Sequence, residues 1–118
     1  RRADAERAYL DAARLAREAG ATEIAARVYN NLGALHHQRG ALAAAQEAYE
    51  QGLAFAQAAG EHRLLGLVMA NLAELTEDHE AWLEALYLLE RAGHRDAAEH
   101  CRAGLPKEHP FRKVETAR

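Results

Sequence analysis

The sequence contains no serine, one cysteine (Cys101) and only two prolines, Pro106 and Pro110, both beyond residue 105. Each shortage excludes something. A lone cysteine cannot close an internal disulfide, and such usage fits a reducing compartment, so a cytoplasmic protein is expected. With no proline before residue 106, no ring interrupts backbone hydrogen bonding over most of the chain. Aromatic residues are 6% of the total while alanine is abundant, a balance that favours helices packed on helices. No run of about 18 apolar residues exists, and Arg1 to Arg7 lead into an amphipathic pattern, so neither a membrane span nor a signal core is expected. The 15 basic and 18 acidic residues are interleaved, with net charge -3, and the basic stripe of a nucleic-acid surface is missing. The chain does not open on methionine, and a larger parent protein is therefore expected.

What the sequence does contain is a repeat. The chain has 118 residues, 49% of them hydrophobic, enough for one domain with a core of its own. Sliding it against itself by 40 residues pairs Tyr9 with Tyr49, Val28 with Val68, Asn31 with Asn71, Leu32 with Leu72 and Leu35 with Leu75. Ala5, Ala8, Ala16, Ala19 and Gly20 find identical partners at Ala45, Ala48, Ala56, Ala59 and Gly60. Alanine-rich composition alone would not align tyrosine, valine, asparagine and two leucines. Gly20, Gly40, Gly60 and Gly93 each follow a helical stretch, where a left-handed residue ends a helix. The pattern predicts an all-α fold with helices at about 3–19, 22–39, 41–59, 62–77, 80–92 and 94–104. These make three hairpins, 3–39, 41–77 and 80–104, in a domain spanning 1–105, followed by a polar tail, 106–118. In the second helix Val28, Leu32, Leu35 and Tyr29, Gly33, His36 form two adjacent rows, one broad buried stripe, with Gly33 permitting close approach. In the third, Leu42, Ala45, Tyr49, Leu53 and Ala56 do the same. The last helix reads either as a cap, which the broken period after Leu75 favours, or as part of a fresh repeat from Trp82.

The segment from Tyr29 to Leu53, with Tyr29, Leu32, Gly33, Gly40, Ala45, Tyr49 and Leu53, resembles the tetratricopeptide repeat. It is most similar to the longer-period form, of about 40 residues, found in kinesin light chain and in bacterial regulators, whose first helix carries N-N-L-G or N-N-L-A. The resemblance covers residues 5 to 75; Gly52 stands where the family usually has alanine, and the proline that closes the short-period repeat is missing. It implies an α-solenoid, a right-handed superhelix of hairpins whose inner wall binds a peptide or helix of a partner protein. The implied wall comprises Arg27, Asn30, Asn31, Ala34, His37 and Gln38, and 40 residues on Leu67, Ala70, Asn71, Glu74, Glu77 and Asp78. In the family, asparagine at the position of Asn31 and Asn71 holds the ligand main chain; the alternative is that the two brace the hairpin. The only lysines, Lys107 and Lys113, lie in the tail, so the basic clamp that some members close on a C-terminal carboxylate is not expected. Arg27 and His37 would favour acidic ligand groups at one end of the wall, and Glu74, Glu77 and Asp78 basic ones at the other.

The remaining chemistry-bearing residues read as structural. His36 and His37 are adjacent and point about 100° apart on a helix, and no histidine joins an H-E-x-x-H pattern, so no metal is expected. His94 lies two turns from Cys101, about 10 Å along the axis, too far to activate it. No catalytic role and no cofactor are expected, and Cys101 and the apolar face of Trp82, Leu83, Leu86 and Leu89 are expected in the core. A second reading is self-association, or packing on the rest of the parent protein.

Overall fold

The computed structural model describes residues 2–105, and every regular element among them is a helix. The six are α1 (Arg2–Glu18), α2 (Thr22–Gln38), α3 (Leu42–Ala59), α4 (His62–Thr76), α5 (His79–Arg91) and α6 (Arg95–Ala103). The expected tail, 106–118, lies outside the described residues. No helix among those described is long and apolar enough to cross a membrane.

The punctuation is local and chemical. Gly20, Gly40, Gly60 and Gly93 have φ of 71°, 76°, 67° and 75°, the left-handed region a side chain disfavours. Each lets the next residue fold back: Ala21 N donates to Ala16 O at 2.8 Å, Ala41 N to His36 O at 2.9 Å, and His94 N to Leu89 O at 2.9 Å. These reversed bonds satisfy carbonyls that the helix ends would otherwise orphan. After α4 the same role falls to Glu77, with φ of 55°, and Asp78 N donates to Ala73 O at 3.2 Å. A side chain in that region costs about 1–2 kcal/mol, and the cost is offset at once, because the Asp78 carboxylate accepts from Glu80 N and Ala81 N and caps α5.

Turns this short reverse the chain, so each helix packs on the next, and α2 also touches α4. Between α2 and α3, Gly33 meets Tyr49 while Gly52 meets Asn30 and Ala26, so numbers rise along one helix as they fall along the other. The α2–α4 contact has the opposite sense: Asn30 bonds Asn71, and Ala34 and His37 sit beside Asn71 and Glu74. Those two helices are therefore parallel, and their C-terminal ends lie together. The whole is elongated, 49 × 30 × 21 Å.

Burial follows the expected stripes. One cluster joins Ala13, Tyr29, Leu32 and Ala48 across α1, α2 and α3, with Tyr29 stacked on Phe55 at 5.7 Å and 3° between ring planes. The next holds Ala26, Ala45, Tyr49, Ala56, Leu64 and Val68. The third holds Trp82, Ala85, Leu86, Leu89, Ala98, Cys101 and Leu105 with Ala70 and Ala73. Cys101 and the Trp82 face are thus core residues, as their pattern predicted. Leu42 is not: it is 53% exposed, because it is the first residue of α3 and precedes the turn at which that helix meets α2.

Candidate ligand-binding groove

Where the C-terminal halves of α2 and α4 run side by side, they leave an open cavity of about 410 Å³. Its walls are Ala34, His37 and Gln38 of α2 and Asn71 and Glu74 of α4. Its floor is Tyr49, which belongs to α3 and lies beneath both walls. The depth of that floor is set by Gly33, since a Cβ there would stand 2.5 Å from the Tyr49 ring. Without a side chain at residue 33, the ring can lie against the α2 backbone.

Tyr49 is 2% exposed. Its hydroxyl makes no hydrogen bond to another described residue. Burial, and then the nearby Glu74 carboxylate, push the phenol up to about 12. It is therefore a neutral donor and acceptor at the bottom of the cavity at physiological pH. On the wall, Asn71 Nδ2 donates to Asn30 Oδ1 at 2.8 Å across the two helices, and Glu74 Oε1 lies 3.4 Å from His100 Nε2 of α6. Arg39, just past α2, is drawn away by Glu6 of α1 at 2.7 Å.

The twelve residues expected to form a binding wall are thus sorted by their surroundings. Ala34, His37, Gln38, Asn71 and Glu74 come together around the cavity. Asn30 joins them as the partner of Asn71, whereas Asn31, one residue on, is exposed and makes no side-chain bond to a described residue. Arg27 pairs with Glu23 on its own helix at 3.0 Å. Leu67 is half-buried against the α5–α6 core cluster, and Asp78 caps α5 instead of lining α4. Of the remaining two, Ala70 is buried in that same cluster and Glu77 forms the left-handed turn. The sequence marked Tyr49 only as a core residue. Its second role as a floor had a trace there, since a glycine at residue 33 in a large-residue stripe leaves an aromatic partner nearer the surface.

A larger cavity, about 780 Å³, lies at the other end of α4, between Glu61, His62, Arg63 and the α5 residues Tyr87, Leu88 and Arg91. The Arg91 guanidinium sits 5.5 Å from the exposed Tyr87 ring, and Arg63 lies 3.4 Å from His94. These side chains are exposed and engaged with one another, and none is a buried polar group awaiting a partner. Among the described residues no group of three or more His, Cys, Asp or Glu gathers as for a metal ion. Cys101 is fully buried, and burial pushes its thiol up to about 11, which suppresses the thiolate a nucleophile needs. No protein-family model, curated protein or solved structure matches this chain.

Proposed function

We propose that this chain is a tetratricopeptide-type interaction module that receives an extended peptide or helix of a partner protein along the α2–α4 wall and performs no chemistry itself. The observation that carries this reading is the convergence of five expected wall residues on one open cavity with a buried polar floor. Helices packed mainly on their chain neighbours, with α2 also lying parallel beside α4, support a stack of hairpins. In such a stack equivalent side chains recur along one inner wall, and their spacing suits a ligand lying across successive hairpins. The right-handed solenoid, the longer-period subtype and a cytoplasmic setting belong to the same proposal, as does the expectation of neither nucleic-acid nor membrane partners.

The test is selection of peptides from a random displayed library on the immobilised protein. Peptides from a true wall ligand set should lose binding to the His37→Ala, Gln38→Ala double variant, both positions being on the open side of α2. They should keep it with Arg95→Ala, a remote exposed change. Selection of no peptide, or peptides indifferent to the wall variant, refutes the proposal.

A second reading rests on a separate observation. Leu10 and Leu15 of α1, with Ile24 and Leu42, are 49%, 56%, 56% and 53% exposed. Apolar side chains this open leave area that self-association, or packing on the rest of a larger protein, would bury. Light scattering over a range of concentrations separates the two readings, since a constant monomer mass excludes self-association.

A further inference from the structure

The charge and hydrogen-bonding inventory of the α2–α4 cavity is one-sided. Its carboxylate is Glu74, its deepest group is the Tyr49 phenol, and no lysine or arginine among the described residues lines it. The arginine nearest in sequence to its rim, Arg39, is neutralised by Glu6. Two parallel helices also bring their C-terminal ends to the same place, and each end carries a partial negative charge of about half an elementary unit. His37 faces the cavity from α2, and His100 approaches Glu74 from α6; neither nitrogen donor reaches the phenol by a hydrogen bond. What the floor has is the Tyr49 phenol, 2% exposed as a residue and without a hydrogen-bond partner among the described residues, lining a cavity walled by a carboxylate.

We infer that this cavity receives a cationic side chain, arginine or lysine, projected by the bound segment, with its head between the Glu74 carboxylate and the Tyr49 hydroxyl oxygen. The inference rests on the peptide-binding reading and assigns the ligand's chemical class. A guanidinium presents several N–H donors in a plane, so it can donate to Glu74 and to Tyr49 at once while its methylene stem lies along Ala34. An acidic side chain there would meet Glu74 and both helix C-termini and be repelled. The Asn30–Asn71 bond holds the wall amide in place, so the site is formed before the ligand arrives.

The probes are two short peptides, acetyl-Gly-Arg-Gly-amide and its citrulline counterpart, which has nearly the same shape and no charge. Each is titrated into the full chain while backbone amide NMR signals are followed. The arginine peptide should shift the amides of Ala34, Gln38, Asn71 and Glu74 and bind about tenfold more tightly than the citrulline peptide. Glu74→Gln should remove about that tenfold preference. Tyr49→Phe, which keeps the buried ring and deletes only the oxygen, should weaken the arginine peptide severalfold and leave the melting temperature close to wild type. Equal binding of both peptides at these residues overturns the cation assignment and leaves the groove intact. Absence of any shift at these residues with either peptide overturns both. Unchanged arginine binding in Tyr49→Phe or Glu74→Gln overturns the assignment as well.

Discussion

Replacing Gly33 by alanine probes the contact that sets the floor of the groove. The new Cβ would stand 2.5 Å from Cδ1 and Cε1 of Tyr49 and 3.0 Å from Cγ, whereas carbon atoms rest about 3.5–4.0 Å apart. The ring must retreat by about 1 Å to restore that spacing, yet it is enclosed by Ala26, Ala45, Ala56, Leu64 and Val68. Overpacking of this kind costs about 1–3 kcal/mol. Alanine in a helix interior returns about 1 kcal/mol through propensity. The expected net loss is about 1 kcal/mol, a fall in melting temperature of about 3–6 °C for a chain of this size. Thermal melts followed by far-ultraviolet circular dichroism measure it. Gly52→Ala is the matched control, because its Cβ would lie 3.3 Å from Val68 Cγ1 and 3.4 Å from Ala26 O. Those neighbours need yield only a few tenths of an ångström, so with the same propensity gain of about 1 kcal/mol the change should leave stability at or slightly above wild type. A Gly33→Ala protein that melts at or above wild type refutes the close seat of Tyr49 against α2.

Two further outcomes concern buried acids. Burial raises Cys101 from 9.0 to about 11, and burial with Glu74 raises Tyr49 from 10.0 to about 12. In both windows the native chain holds protons that the unfolded chain has lost, so stability is complete below pH 9 and falls as pH rises, first through Cys101 and then through Tyr49. Urea midpoints should therefore hold up to about pH 9 and decline from there to about pH 10.5, and Cys101→Ala should blunt the early part of the decline; a flat profile contradicts the burial of both groups. The Cys101 thiol should also resist an aromatic disulfide reagent in native buffer and react at the rate of unfolding in urea. Rapid labelling of the native protein would place the thiol at the surface.

Much of the helical layout was legible because its signals are local. Four glycines past four helix ends mark turns that any reader of backbone conformation can place, and the six helices begin and end within about two residues of expectation. The break between α4 and α5 was legible too, between 77 and 80, but its conformation was not, because Glu77 adopts the left-handed turn without the residue type that announces it; the Asp78 cap that compensates becomes visible only with the turn in place. Asparagines were legible as a type and not as a contact. Self-alignment pairs Asn31 with Asn71 because they occupy equivalent positions, but side chains on neighbouring parallel helices meet when they lie on facing flanks, and the residue that faces Asn71 is Asn30. Likewise Leu42 shares the heptad-like spacing of buried residues yet sits at a helix start that its neighbours do not cover. The Glu74–His100 approach left no trace, since nothing local to α4 or α6 says that they converge.

Tyr49 is at once the largest fully buried side chain and the bottom of the cavity. A surface pocket usually drifts freely in sequence, but this one is anchored in the interior, so its depth cannot change without repacking the middle of the molecule. On the proposed peptide-binding reading, divergence in ligand preference would have to be written on the rim, in positions such as His37, Gln38 and Glu74, above a base that the requirements of folding alone hold in place.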